Sequence, residues 1–317
     1  ANYLYAYALY RTDNFRAALA VVQDSYAQGQ TGAYDRELLK LRARLHTNLD
    51  QPEAAIDDLQ EYVPRFPRDL EARVDLAKLY FQLNRYSQIH SLVEDLEAGP
   101  RNLEAAGAAQ VEGQGAGQDE KVTFDRTSSE YLKLKYIEGM AYLKEDKYQS
   151  ADMVFDTLAA GDMKSAGLNE LLPGFYFFRG WSKYKQVEYS AALEWFRQLV
   201  EEYPEHQKAI EAYYLAGWAA YADGDFMQAR DFFGRYSKQD ISESEQVRGL
   251  FMYGKSSSAL GKTQDALMVY QTIYKEHSDA TFADDAMYEY AGLLHVMGRS
   301  MDAVDSFQRL ADRYPTS

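Results

Sequence analysis

The sequence predicts an all-α fold, a solenoid of about eight antiparallel helix pairs, and three regularities predict it. Small residues recur at Ala18, Ala55, Ile89 (the one large exception), Ala151, Ala192, Ala229, Ala266 and Ala303, with successive spacings of 37, 34, 62, 41, 37, 37 and 37. A second small residue lies twelve positions before each: Ala6, Ala43, Ala77, Gly139, Gly180, Gly217, Gly254 and Ala291. A bulky apolar residue lies four positions after each: Val22, Leu59, Val93, Phe155, Phe196, Phe233, Tyr270 and Phe307. A period in this range marks supersecondary units that bury their apolar faces only by stacking on one another.

Each unit reads as two helices. The small positions let two backbones approach closely, and the bulky residue fills the space around that contact. An aromatic three residues before the anchor opens the second helix at Phe15, Tyr86, Tyr148, Tyr189 and Phe226. Between the helices lies a short polar turn, as in Thr12-Asp13-Asn14, Glu145-Asp146-Lys147, Asp223-Gly224-Asp225 and Leu260-Gly261-Lys262. Gly and Asn suit the helix end there because they tolerate the left-handed conformation that closes it. Pro67, Pro204 and Pro315 stop the second helix, since proline lacks the N–H that would continue it. Three departures, Pro52 in the second turn, Ile89 at the third anchor and Ser278 in place of a terminal proline, are expected to disturb local geometry and leave the array intact.

With about eight such copies in register over nearly the whole length, the chain resembles a tetratricopeptide repeat (TPR) protein. That resemblance implies a right-handed superhelix whose first helices line a concave face, with their second, fifth, ninth and twelfth positions pointing into the groove. Those positions hold Tyr136, Met140 and Leu143 in repeat four, and Phe177, Trp181 and Tyr184 in repeat five. Repeat six has Tyr214, Trp218 and Tyr221, and repeats seven and eight add Phe251 and Tyr288. This stripe is the expected ligand surface, with Trp181 and Trp218 at its centre, because Trp and Tyr offer large contact area at small entropy cost. The competing reading packs the fifth- and twelfth-position aromatics against neighbouring helices. Repeats two and three present Glu37, Lys40, Arg44, Glu71 and Lys78, a mixed polar surface. Lys40 fits the first position of the clamp by which some relatives hold a C-terminal carboxylate, but Arg44, Asp75 and Ile137 stand where Asn, Asn and Arg belong, so that clamp is not expected.

The register divides the chain into residues 1–99 (repeats one to three), an insertion at 100–126, and residues 127–317 (repeats four to eight). Asn102–Ala106 could extend a helix, whereas Glu112–Gln118 is a Gly-rich tract with nothing to bury, expected as a mobile loop. It reads either as a hinge or as a surface loop that leaves repeats three and four stacked. No strand pattern precedes its glycines and no Gly-Lys-Ser/Thr follows, so they form no phosphate loop. A smaller break at Ala159–Gly167 is expected only to widen a turn. Ala1 falls inside the first helix and Ser317 directly after Pro315, so a fragment of a longer array is expected, with Val304, Phe307 and Leu310 presenting an apolar side through which the chain could self-associate.

Composition narrows the function. The net charge is -15, which disfavours nucleic acid and anionic lipid surfaces and leaves basic or apolar partners open. Mean hydropathy is -0.51 and no stretch approaches the roughly 18 apolar residues that span a bilayer. With no Cys, disulfides and thiolate chemistry are absent. The five histidines, His46, His90, His206, His277 and His295, are scattered over separate repeats, read as surface or loop residues, and imply no metal or other cofactor. No serine lies in a nucleophile-elbow context. The expectation is a non-catalytic adaptor that holds a peptide or helix of a protein partner in an aromatic groove, carboxylates around it favouring Lys or Arg at the ligand's rim. A scaffold assembling through its ends and a small-ligand or glycan binder are the alternatives. Glu202-Tyr203-Pro204 leading into Glu211–Gly217, and Ala283–Tyr288 leading to Arg313-Tyr314-Pro315, resemble repeats of bacterial cell-envelope adaptors, which implies a periplasmic location; the cytoplasm is the alternative.

Overall fold

A computed structural model describes residues 2–98 and 124–315, and among them it forms seventeen α-helices and no strand. Most of the 100–126 insertion, including Asn102–Ala106 and Glu112–Gln118, lies outside the described residues, as do Ala1 and Ser317. The chain divides into two compact units, Ala1–Asn169 and Glu170–Ser317. The first contains the pairs α1 (Asn2–Arg11) and α2 (Phe15–Ala27), α3 (Asp35–Asn48) and α4 (Pro52–Arg65), α5 (Leu70–Gln82) and α6 (Tyr86–Ala98), α7 (Ser129–Lys144) and α8 (Tyr148–Phe155), then a short α9 (Ala160–Ser165). The second contains α10 (Leu172–Lys185) and α11 (Tyr189–Glu202), α12 (Gln207–Ala222) and α13 (Phe226–Tyr236), α14 (Glu243–Ala259) and α15 (Thr263–Glu276), α16 (Ala283–Val296) and α17 (Ser300–Arg313).

The repeat register is visible in the backbone. Five residues before each anchor the chain turns through a left-handed residue: Asp13, Asp50, Asn84, Asp146, Val187, Gly224, Gly261 and Gly298 all have positive φ. Asp, Asn and Gly adopt this conformation readily, and it ends one helix so that its partner can fold back. Val187, at φ 66, is the exception: a β-branched side chain is strained there.

Packing follows a size rule. A Cβ added to Gly139, Gly180, Gly217 or Gly254 would meet a ring atom of Phe155, Phe196, Phe233 or Tyr270 at 2.4, 2.7, 2.8 and 2.5 Å, closer than carbon atoms approach. Where the inner helix carries Ala6, Ala43 or Ala77 instead, the outer helix answers with the smaller Val22, Leu59 or Val93, all buried; the last pair departs from the rule, Ala291 being answered by Phe307, which is only half-buried. Ile89 is fully buried beside that smaller Val93, so the large anchor is absorbed within the same core. Pro52 does not disturb its turn either, because it occupies the first position of α4, where no N–H is needed.

Two local expectations are corrected. The break at Ala159–Gly167 is more than a wide turn: it folds as α9, whose Met163 is completely buried, and the boundary between the compact units falls just after it. His46 and His90 lie within helices, their side chains only 12% and 17% exposed, because each is held by a neighbour: Gln51 at 2.7 Å and Glu145 at 2.8 Å. The ring of His90 stacks on Tyr142, centroids 3.7 Å apart. Tyr131 and Lys135 of α7 donate to Glu97 of α6 at 2.9 and 3.1 Å, so repeats three and four stack directly. None of the helices is long and apolar enough to cross a membrane, among the described residues.

Candidate binding grooves

Contacts within each repeat sort the inner-helix aromatics by position. Fifth-position rings rest on the outer helix of their own repeat: Tyr136 on Phe155, Phe177 on Phe196, Tyr214 on Phe233, Phe251 on Tyr270 and Tyr288 on Phe307, centroids 5.7 to 6.3 Å apart. Twelfth-position rings do the same against the aromatic that opens the outer helix, as Tyr184 with Tyr189 and Tyr221 with Phe226, at 5.5 and 5.2 Å. Trp181 and Trp218 occupy the ninth position, where Trp218 also meets Phe233 edge-on at 6.0 Å. Tertiary packing therefore uses part of what the register assigned to a ligand, and it does so within a repeat rather than between repeats.

In the second unit this leaves one groove. Trp181 stacks on Tyr184 at 6.1 Å, and Trp218 lies edge-on to Tyr214 and Tyr221 at 6.3 and 6.1 Å. All five rings are half-buried. Burial raises the Tyr184 phenol above its usual range, and the nearby hydroxyls of Tyr189 and Tyr214 add to the shift, which places α10 and α12 side by side on this face. Further along, Lys255 of α14 donates to Glu289 of α16 at 2.8 Å. That bond, with Glu289, Tyr221 and Asp285 nearby, raises the lysine above its ordinary value. Phe177 and Phe251 are buried, 4% and 9% exposed, and form the groove's wall. Tyr288 is 59% exposed at its far end. Tyr136 and Met140, both half-buried, belong to the first unit, as does half-buried Leu143.

The charges on these rings are cations. Lys185 lies 5.1 Å from the Trp181 centroid, Lys208 4.5 Å from that of Phe177, and Arg248 5.8 Å from that of Tyr214. Carboxylates also lie nearby, at Asp285 and Glu289 of α16 and at Glu211 and Glu245 around Tyr236, the ring that packs on Tyr214.

The first unit carries a second concave site that the stripe reading omitted. Tyr34, Tyr3, Tyr7 and Tyr10 stack in series, with centroid separations of 5.2, 5.9 and 6.3 Å. Tyr3, Tyr7 and Tyr10 hold the fifth, ninth and twelfth positions of repeat one, so the register could have named them; Tyr34 comes from a connecting turn and could not be found that way. Tyr10 borders a cavity of about 520 Å³ whose polar lining includes Lys40, Arg44, Glu71, Asp75 and Lys78. Lys40 donates to both oxygens of Asp69 at 3.0 and 2.9 Å and to Glu71 at 2.7 Å, and Arg44 donates to Glu71 at 2.7 Å. Burial pushes the Asp75 carboxyl above its ordinary range, and Lys78, 3.5 Å away, only partly offsets it.

Helix pairs that share their packing positions and differ at their inner-face positions define a helical-repeat array. The chain is such an array, and a family model described as tetratricopeptide repeat matches residues 211–240 and 285–317. Among solved structures it is similar to a chain of Naa15/Naa10 bound to HypK-THB, with 11% identity, a TM-score of 0.57, and coverage of 89% of this chain and 38% of that one. It is also similar to a tetratricopeptide repeat protein from Parabacteroides merdae, with 12% identity, a TM-score of 0.50, and coverage of 92% and 96%. Likeness at this identity is likeness of fold, and the chain spans 38% of the length of the first of these relatives. No curated protein matches the sequence. Tetratricopeptide repeat arrays serve generally as protein–protein interaction modules.

Proposed function

We propose that the chain is a non-catalytic adaptor that holds a peptide or helical segment of a protein partner in the aromatic groove of the second unit. The observation that carries this reading is the set of five half-buried rings, Trp181, Tyr184, Tyr214, Trp218 and Tyr221, on two successive inner helices. Phe177, Phe251 and Tyr288 extend the wall, and Tyr136 and Met140 hold the corresponding positions of repeat four. Rings fixed by their neighbours lose little entropy on binding, and part of their area is still available to a ligand. The ninth-position Trp pair supplies the anchors.

The test replaces Trp181→Ala and Trp218→Ala together and measures both capture of partner protein from the native source and the melting temperature. Capture is expected to weaken by about a hundredfold or more, the loss of two hot-spot residues, with melting little changed. Unchanged capture, or a melting transition that collapses, rejects the assignment. The repeat resemblance supports a bacterial envelope location, which fractionation of the source cells tests. Val296, Met301 and Val304 are 81%, 77% and 60% exposed, and they support a second reading, self-association through α16 and α17. Val304→Asp should then shift the oligomer toward monomer in light scattering; a wild-type chain that is monomeric at all concentrations removes that reading.

A further inference from the structure

The cavity of the first unit has its own chemistry. Its two inner cations are already paired: Lys40 directs its ammonium at three carboxylate oxygens, and Arg44 donates to Glu71. Its spare capacity is in acceptors. Thr47 donates its hydroxyl proton to the Ala43 carbonyl at 3.0 Å, and Asn48 uses its amide NH2 on the Arg44 carbonyl at 2.8 Å. Both line the cavity with their side-chain oxygens still able to accept. Asp75 adds a carboxylate whose cation, Lys78, sits loosely at 3.5 Å with a side chain 57% exposed. Beside it the Tyr7 and Tyr10 rings stack 6.3 Å apart, and the negative face of a tyrosine ring also favours cations.

We propose that this cavity is a second binding site, which takes the arginine or lysine side chain of an extended basic partner segment, with the cation against Asp75 and the flanking residues on Tyr7 and Tyr10. Spare acceptors, a carboxylate whose cation is loosely held and adjacent π faces all select the same chemistry, a planar or compact cation rich in N–H groups. Lys78 acts as the placeholder that such a ligand displaces into solvent. The site stands on this cavity alone and does not depend on the groove of the second unit.

The test uses the full chain and two blocked pentapeptides, acetyl-Gly-Tyr-Arg-Tyr-Gly-amide and its Tyr-Glu-Tyr counterpart, whose capped ends exclude recognition of a chain terminus. Calorimetry should show the Arg peptide binding and the Glu peptide not. Asp75→Asn should weaken the Arg peptide by about tenfold or more, the worth of one charge-assisted hydrogen bond. Lys78→Ala should tighten it, and Trp181→Ala with Trp218→Ala should leave it unchanged. Preferential binding of the Glu peptide, no binding of the Arg peptide at millimolar concentration, indifference to Asp75→Asn, or loss on changing the Trp pair each overturns the proposal; the last would move basic recognition to the second unit.

Discussion

Asp69 ties three helices together through one carboxylate, and its replacement should loosen the first unit in a pH-dependent way. It caps α5 by accepting from the Ala72 N–H at 3.2 Å, accepts from the Tyr62 hydroxyl of α4 at 2.7 Å, and accepts from Lys40 and Arg36 of α3 at 2.9 and 3.4 Å. Burial opposes its ionisation, but the bonds from Tyr62, Lys40 and Ala72 outweigh burial and hold its pKa down to about 2. The side chain is only 9% exposed, so solvent screens these interactions little. Against an unfolded value near 3.9, a shift of roughly 1.9 units corresponds to about 2.6 kcal/mol at neutral pH. Because the folded pKa is depressed, this stability is full above pH 4 and is lost as pH falls toward 2; at pH 3 about half remains. Asp69→Asn keeps a capping oxygen and removes the charge. Hydrogen exchange of α4 and α5 amides, taken as the ratio of variant to wild type, should therefore rise about 80-fold at pH 7 and about 10-fold at pH 3. Equal ratios at the two pH values would refute the electrostatic account, and a ratio near one at pH 7 would refute the hub itself.

The remaining predictions concern the repeat register. Gly217→Ala sets the overpacking of Phe233, which costs about 1–3 kcal/mol, against a helix-propensity gain of about 1 kcal/mol. Urea denaturation should show it destabilising alone and stabilising in the Phe233→Leu background; the same sign in both backgrounds would mean that the close approach is not what requires glycine. Val187 is 66% exposed at φ 66, so Val187→Gly removes strain without losing packing and should raise stability by about 1 kcal/mol; a loss would show that the turn is not strained. The Tyr270 hydroxyl is buried and has no hydrogen-bond partner among the described residues, and burial raises its pKa further. Tyr270→Phe should therefore stabilise the chain by about 1 kcal/mol, and a loss of stability would mean that a bound water or ligand satisfies the hydroxyl.

How much was legible depended on whether a residue's role is set inside its own repeat. Gly217 and Phe233, or Asp146 in its turn, obey constraints repeated eight times, so their spacing alone exposes them. The Ala–Val and Gly–Phe pairs show why: the volume removed from one helix is returned by the other, and that exchange can be read without coordinates. Ring burial was less legible. Phe177 and Trp181 both occupy nominal groove positions, but only contacts with Phe196 reveal that the first is mostly wall. Tyr3, Tyr7 and Tyr10 followed the same positional rule as the stripe and were legible though unread. The cavity beside them was not, because it depends on which carboxylates Lys40 and Arg44 select, and both choose among acids from a different repeat. Net charge says less for a related reason: -15 is a property of the whole chain, while Lys185, Lys208 and Arg248 lie on the rings themselves.

The ninth position separates scaffold from specificity most cleanly. The fifth position is aromatic in six of the eight copies and the twelfth in four, and those rings rest mainly on their own outer helix, so their identity says little about a ligand. At the ninth only Trp218 shows a ring contact of that kind among the described residues, with Phe233 at 6.0 Å, and the position's identity varies: Tyr7, Arg44, Lys78 and Met140 in the first unit, Trp181, Trp218, Lys255 and Gly292 in the second. A position released from packing is free to follow the ligand, and each unit passes from aromatic to cationic along this column. A partner segment matched to either groove should therefore be amphipathic along its length, apolar where it meets Tyr7 or Trp181 and Trp218, polar where it displaces Lys78 or meets Lys255. Exchanging Trp218→Lys and Lys255→Trp preserves composition and charge, and gives up the half-exposed Lys255 bond to Glu289 and the edge contact of Trp218 with Phe233. If the column sets specificity, the exchange abolishes capture of the native partner while leaving the melting temperature close to wild type. Retained capture would mean that the fifth- and twelfth-position rings, not the ninth, carry recognition.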